Sequence, residues 1–393
     1  MPCSSWFSHE HLKESLMKLS CLQENLKRGL AIVSHAVAGK STLPVLSNIL
    51  LASDDGRLKL AATNLEIGIT CWIGAKIEDE GAVTVPAKLL SDVVGSLPND
   101  RIDLTLDVRT QTLNLKCARF ETNIKGTEAG EFPTIPTIDD RTPAAIFPPA
   151  LLRETIEQVA FAAATEETRP VLQGVQLRLR DNRAIFAAAD GFRLAQRIIE
   201  LPEPIVQQQE LIIPARALTE LARIVDDDES PVEMMITPGG GQVLFHTSTV
   251  DLVSRLIEGR FPDVDRVIPQ QYQTRAVLDR QELTKAVKLA SFFAVASSNI
   301  VRLHMEPGGE MGPGRITISA NAVEVGDNKG QIDATIQGDG GQIALNVKFL
   351  SDAIAAIPTP QIALETQSPQ HPAVFKPVGA DGYIHIVMPM TVR

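Results

Sequence analysis

Thr42-Leu43-Pro44-Val45-Leu46 and Thr168-Arg169-Pro170-Val171-Leu172 share a threonine, a proline, a valine and a leucine in one spacing, 126 residues apart. Two further landmarks keep the same order. Pro86-Ala87-Lys88-Leu89-Leu90 returns 128 residues on as Pro214-Ala215-Arg216-Ala217-Leu218, and Phe132-Pro133 returns 129 on as Phe261-Pro262. A fainter third copy places Asn346-Val347-Lys348-Phe349-Leu350 another 132 residues along. In that copy Ser298-Asn299-Ile300-Val301-Arg302-Leu303 stands where the others have their Pro-Val-Leu stretch. One match of this length is chance; three landmarks in fixed order are a repeat. The period far exceeds the ~20–50 residues of solenoids and propellers, so each copy is a whole domain. The expected domains are 17–141, 142–268 and 269–393, within the two to four that ~150 residues per domain allows.

Each copy opens with a helical stripe. Leu22, Leu26, Leu30, Val33 and Val37 recur at steps of three and four, which sets them on one face. Leu151, Leu152, Ile156, Val159 and Ala163 repeat the pattern, as do Leu283, Val287, Ala290 and Phe293 or Ala294. Alternating stretches such as Arg57-Leu58-Lys59-Leu60-Ala61 and Arg315-Ile316-Thr317-Ile318-Ser319 read as strands. A second, shorter helix is expected at Ala87–Leu97, Ala215–Val225 and Val347–Ile357. Pro86 and Pro214 suit a helix start, where the missing N–H is not needed. Two helices and several antiparallel strands, three times over, predict an α+β fold with helices on one side of the sheets.

Composition narrows the function. The 393 residues are 44 % hydrophobic and 22 % charged, ordinary for a globular chain. No apolar run approaches the ~18 residues of a membrane span. Met1 to His11 lack a basic segment followed by an apolar one, so no secretory signal is expected and the chain is assigned to the cytoplasm. Cys3, Cys21, Cys71 and Cys117 form no C-x-x-C pair, which fits reduced thiols and argues against structural zinc. Against 37 basic residues stand 48 acidic ones, a net charge of −11. That balance disfavours a protein gripping nucleic acid over most of its surface, and leaves room for basic groups gathered on one face. With 13 Phe, 2 Trp and 2 Tyr, a base-stacking platform for single strands is not expected.

No catalytic constellation stands out. Ser34-His35-Ala36-Val37-Ala38-Gly39-Lys40-Ser41 falls one residue short of a phosphate-cradling loop, G-x-x-x-x-G-K-[ST]. Ser34 occupies the first glycine's place, the preceding segment has helical period, and Pro44 arrives before a second helix could turn. Gly39 reads instead as a helix C-terminal glycine followed by a loop. A P-loop-like nucleotide hydrolase at Gly39-Lys40-Ser41 is the alternative function. Gly239-Gly240-Gly241 reads as a hairpin turn, Asp226-Asp227-Asp228-Glu229 as a solvated acidic turn, and the seven His are scattered without zinc spacing. No cofactor, no metal and no enzymatic activity are expected.

Basic residues recur where chemistry does not. Lys88, Arg216 and Lys348 hold one position in all three copies, near the start of the second helix. The first helices add Lys27 and Arg28, then Arg153, then Lys285 and Lys288. In an acidic chain this recurrence points to helices that present positive charge to one shared surface, where phosphate contacts position a duplex without reading its sequence.

With the repeat established, the chain resembles the bacterial sliding clamps, the beta-subunit family of DNA polymerase III. The resemblance rests on Gly39-Lys40-Ser41-Thr42-Leu43-Pro44-Val45-Leu46-Ser47-Asn48 and on Ala188-Ala189-Asp190-Gly191-Phe192-Arg193-Leu194-Ala195. It rests equally on Asp251 to Pro269, with Gly259-Arg260-Phe261-Pro262-Asp263, and on Val387-Met388-Pro389-Met390. It runs from Met17 to Arg393 and leaves 1–16 as an N-terminal extension, expected to be disordered. The resemblance implies a head-to-tail homodimer, a ring of six domains around double-stranded DNA, opened by a clamp loader and tethering the polymerase III catalytic subunit and other partners. It implies a peptide-binding pocket at Leu172, Gly191, Arg193, Leu194, Pro262, Arg266 and Val267, joined by Ile386, Met388, Pro389 and Met390. It places DNA-contacting loops at Lys40 and around Arg169, and the dimer contact at Phe120 against Phe292 and Phe293 of the other subunit. The chain departs from the family in Phe192, where His is frequent, and in its Thr391-Val392-Arg393 end.

Overall fold

The computed structural model describes residues 17–39, 41–137, 142–166, 168–205, 207–225, 230–309 and 312–391. The expected extension at 1–16, Lys40 and the acidic turn at 226–229 lie outside the described residues. By compactness the chain divides into two units: one is Met1–Arg141 with Leu244–Ser254, the other Thr142–Val243 with Arg255–Arg393. The pairing of strands explains this division. Strand Val250–Arg255 runs antiparallel to Ile67–Gly74, with Val250 opposite Cys71 and Ser254 opposite Ile67. Strand Arg193–Glu200 of the second copy pairs with Tyr383–Val387 of the third, which fuses those two copies into one sheet.

In the first unit, helix α1 (Gln23–Ser34) buries Leu26, Leu30 and Val33 as its stripe predicts. Leu22 and Val37 fall outside it: Leu22 is half-exposed in the preceding strand, and the helix stops at Ser34. His35 and Ala36 close the last turn through N–H bonds to Ile32 and Val33 carbonyls, so Gly39 lies beyond the end and does not cap it. Gly29 sits mid-helix because the sheet comes close, and an added Cβ would stand 2.6 Å from Leu60 Cδ1. Helix α2 (Ala87–Ser96) follows Pro86 and buries Ala87, Leu90 and Val94. Five antiparallel strands form one sheet in the order Lys76–Asp79, Lys18–Leu22, Arg101–Asp107, Thr112–Cys117, Phe120–Lys125. Its alternation is clean: Ile102, Leu104 and Leu106 are buried opposite Cys117, Leu115 and Leu113. Burial pushes the thiol of Cys21 up to about 12 and that of Cys71 up to about 11, which leaves both protonated and inert.

The second unit holds a twelve-stranded sheet. Gln209–Pro214, Gly174–Arg180, Arg183–Ala189 and Arg193–Glu200 lead into Tyr383–Val387, Ala373–Pro377, Gln361–Thr366 and Thr274–Asp279. Gly326–Gly338, Gly314–Ala322, Ile300–Glu306 and Gly341–Asn346 complete it. Helix α3 (Pro149–Val159) packs on α4 (Ala215–Ile224), and α5 (Arg280–Ala294) on α6 (Val347–Ala356). The predicted stripes hold along α3 and α5, with Ala294 buried and Phe293 half-buried, except that α3 ends at Val159 and leaves Ala163 beyond a short turn. The third copy looked faint because it starts its helix differently. Where α2 and α4 follow a proline, α6 follows Asn346, whose side chain accepts the N–H bonds of Lys348 and Phe349.

Helix α5, the longest of the six, is capped by Asp279, which accepts the N–H of Gln281 and of Glu282 at 2.9 Å each. Asp279→Ala is expected to cost about 1 kcal/mol in urea unfolding followed by circular dichroism, because two end N–H groups lose their acceptor.

Candidate functional site

Second-copy and third-copy residues meet across the shared sheet. Leu194 lies opposite Ile386 on neighbouring strands, and Leu172 comes from the turn Pro170–Gln173. With Ala187, Ile212 and Val374 they form a buried cluster, over which Phe261 and Val264 of the segment after Arg255 are folded. That segment is fastened twice. Arg178 grips Asp265 with two N–H bonds of 2.6 and 3.0 Å, and Ile257 N–H donates to Ile212 O. The Arg178 guanidinium, bonded to Asp265, holds that carboxyl below the usual range. Val267 stays exposed at the rim beside Pro262, as does Arg266, paired with Asp263 at 2.8 Å. Thus Leu172, Leu194 and Ile386 are brought together as the resemblance implies. Phe261 and Val264, read only as a repeat landmark and a neighbour of the motif, complete the apolar floor.

The chain end forms the other wall. Gly191, at φ +93°, turns the backbone so that Asp190 Oδ1 accepts the N–H of both Phe192 and Arg193. Phe192 is thereby left 65 % exposed. Its carbonyl accepts the N–H of Met388, and Ala344 O accepts that of Met390, each at 2.8 Å. Two backbone bonds thus hold the tail, while the Met388, Pro389 and Met390 side chains line a cavity of about 460 Å³ with Ile343, Ala344 and Pro369.

Arg193 faces elsewhere. Its side chain, 9 % exposed, donates to Asp190 at 3.0 Å, to Asp352 at 2.5 Å and to Phe161 O at 2.8 Å. Its guanidinium carbon lies 4.7 Å from the centre of the Phe349 ring and 5.4 Å from that of Phe161. On Phe161 stacks His385, at 5.5 Å. Tyr383 O–H donates to Gln158 O at 3.1 Å. Arg193 therefore locks the seam beneath the groove instead of lining it. Burial, and secondarily the Arg193 charge, push His385 down to about 3.

The basic residues fall where their recurrence placed them. Lys88, Arg216 and Lys348 are each the second residue of α2, α4 and α6, and each is exposed. Lys285 and Lys288 are exposed on α5, and Lys288 borders a groove between α5 and α6 that also holds Arg280, Thr284, Ser291 and Ser351. Arg169 is exposed before the Pro170–Gln173 turn. Arg153 is half-buried and paired with Glu157 at 3.0 Å.

Exposed apolar side chains mark two open strand edges. Phe120, 58 % exposed, begins the edge strand Phe120–Lys125 of the first unit. In the second unit Phe292 is 64 % exposed near the end of α5, with exposed Leu289 and Val295 on the same stretch and Val323 and Val325 in the neighbouring hairpin turn. Phe293 beside it is half-buried. Residues 326–331 of that hairpin pair on one side only among the described residues. The phosphate-loop reading fails on order: α1, then a loop, then the short turn Pro44–Ser47 and strand Asn48–Asp54, the reverse of strand, loop and helix. Among the described residues, no group of three or more His, Cys, Asp or Glu side chains could hold a metal, and no helix is long and apolar enough to cross a membrane.

Three copies of one α+β domain, with exposed basic residues at a repeated helix position and an apolar groove on a shared sheet, are the features of a clamp-type repeat protein. Family models described as the N-terminal, central and C-terminal domains of the DNA polymerase III beta subunit match residues 17–136, 147–263 and 265–391. The chain belongs to that family. It is 33 % identical over 396 residues to the beta sliding clamp of Synechocystis, covering 95 % of this chain and 99 % of the relative. It is 32 % identical over 380 residues to that of Synechococcus elongatus, covering 96 % and 100 %. Among solved structures, the DNA polymerase sliding clamp of Bacillus subtilis superposes with a TM-score of 0.89 at 27 % identity, over 96 % of this chain and all of that one. The Pseudomonas aeruginosa clamp bound to griselimycin gives 0.85 at 28 % identity over the same shares.

His385 ties the seam to pH. It stays neutral when folded, whereas in the unfolded chain it takes up a proton below about pH 6.5. The unfolded state then binds the extra proton, so stability falls as pH drops through 6.5 towards 3, by about 1.4 kcal/mol per unit from this residue. His385→Phe, which keeps the stacking and removes the buried unpaired Nε2, is expected to remove that slope in urea titrations at pH 6.5, 5.5 and 4.5.

Proposed function

We propose that the chain acts as a sliding clamp that encloses duplex DNA and tethers DNA polymerase III and other partners through the groove beside Met388-Pro389-Met390. The observation that carries this reading is the exposed basic residue at the second position of α2, α4 and α6 in an otherwise acidic chain. A ring that encloses its substrate has no need to grip it. A modest basic lining over water lets a duplex slide, and the net charge of −11 limits nonspecific sticking elsewhere.

Closure follows from the two open edges. A head-to-tail contact of Phe120 and its strand with the Phe292 face and residues 326–331 of a second copy covers both apolar patches at once. Repeated twice it closes on itself, which avoids a filament. The role is non-catalytic and cytoplasmic: ring opening requires an ATP-driven loader, and the synthesis is the polymerase's own. Lys88, Arg216, Lys285, Lys288 and Lys348 supply the lining, with Arg169 before the Pro170–Gln173 turn; Lys40, which the resemblance adds, lies outside the described residues. Leu172, Leu194, Ile386 and the Met388–Met390 tail seat the partner's peptide, a surface that flexible methionines adapt to several sequences.

After loading onto a nicked plasmid, the protein is expected to stay bound through a high-salt gel-filtration column and to leave once the plasmid is cut at a single site. Equal loss from intact and cut circles contradicts enclosure. Phe292→Asp is expected to convert the dimer into a monomer of about half the mass in light scattering, because it places a charge in the apolar contact.

A further inference from the structure

The tail cavity holds a cation that no described residue answers. Arg302 is the third residue of strand Ile300–Glu306, opposite Ser319 on one side and Ala344 on the other, and it is half-buried. Arg302 lines the cavity of about 460 Å³ together with Gln342, Gln370 and the Met388-Pro389-Met390 tail, and no described lining residue is a carboxylate. Among the described residues the Arg302 side chain makes no hydrogen bond and no ion pair. Other half-buried arginines of the same unit have partners for their side chains: Arg178 pairs with Asp265, Arg193 with Asp190 and Asp352, and Arg275 with Glu365, while Arg197 and Arg280 donate to the Asp381 and Ile357 carbonyls. In a chain with eleven more acidic than basic residues, an arginine left unpaired in a cavity marks a missing anion.

We propose that Arg302 pairs with an acidic side chain of the peptide seated along Met388–Met390, and so sets the sequence preference of this groove. The proposal rests on the groove being the partner-peptide site. The surroundings favour a peptide over a nucleic acid, since one methionine and proline wall would face apolar side chains and bare phosphates would gain nothing from it. Gln342 and Gln370 flank the guanidinium with groups that donate to the same carboxylate or accept from the peptide backbone. A planar fork meeting a carboxylate gives both strength and direction, which a neutral amide in the same place does not.

The test is fluorescence anisotropy with the full chain and capped, labelled eight-residue peptides rich in Leu and Phe, in which one position is Asp, Asn or Lys and that position is moved along the peptide. At one position Asp is expected to bind about tenfold more tightly than Asn. With Arg302→Gln the two should come within twofold, and with Arg302→Glu the Lys peptide should overtake the Asp peptide. The Asn peptide is the internal reference, so a general loss of folding cannot imitate a change in the ratio. Equal binding of Asp and Asn at every position, or an Asp preference that survives in Arg302→Gln, overturns the proposal. An uncapped peptide whose only anion is its terminal carboxylate, binding as tightly as the Asp peptide, overturns the assignment to a side chain. Displacement of the Asp peptide by a short duplex from the unsubstituted chain alone would give the site to phosphate instead. If no peptide binds at all, the docking reading falls first and Arg302's role with it.

Discussion

The pairing of Arg193–Glu200 with Tyr383–Val387 is the constraint on which the groove depends. It joins strands almost two hundred residues apart in sequence, and it sets Leu194 opposite Ile386 and thus the floor of the groove. Main-chain hydrogen bonds alone would allow a slipped register, which would turn each apolar side chain to the other face. Arg193 removes that freedom. Three of its donors reach Asp190 on its own turn, Asp352 on α6 and the Phe161 carbonyl, so the second copy's sheet and the third copy's helix are held by one side chain. Arginine suits this task because its charge persists at any working pH and its plane lies flat against Phe349 and Phe161.

Burying so much polarity at a seam costs stability unless each group is answered. Most here are: Gln158 donates to the Ala356 carbonyl, Tyr383 to the Gln158 carbonyl, and Arg193 to three acceptors. Among the described residues, His385 Nε2 and Gln158 Oε1 are exceptions, buried without a partner. The neutral imidazole tolerates this better than a charged one would, and burial, with the positive Arg193 second, holds it neutral. The seam is accordingly a specific lock instead of a merely apolar one, and it fixes the angle at which the tail reaches the groove.

Much of the fold was legible because the repeat exposes it. Three copies of a helix stripe and a Pro- or Asn-started second helix give six helices at the predicted places, and the alternations at Arg57–Ala61 and Arg315–Ser319 are strands. What misled was local: Leu22 matches the stripe's spacing yet belongs to a strand, and Gly39 matches a cap yet follows a helix already closed by Ile32 and Val33 carbonyls. How the copies join was not legible at all. It depends on which strands pair across copies, and period-two alternation does not specify a partner. For the groove, family likeness supplied Leu172, Leu194 and Ile386. The roles of Arg193 and Arg302 needed coordinates, since one is defined by partners 32 and 159 positions away and the other by having none.

The Met388–Thr391 tail combines a fixed backbone with adaptable side chains. The backbone is fixed at two points, Met388 to Phe192 and Met390 to Ala344, so the wall cannot drift. Between them the thioether side chains stay free to choose rotamers, and repacking two methionines costs little. Phe192 extends this apolar rim where an imidazole would have brought a polar edge and a charge near neutral pH. Affinity at such a groove then comes from apolar burial common to every ligand, whereas discrimination must come from a fixed polar group. Rigid main chain, adaptable apolar wall and one unanswered charge are three separable parts, and a partner that matches only the first two would bind without being preferred.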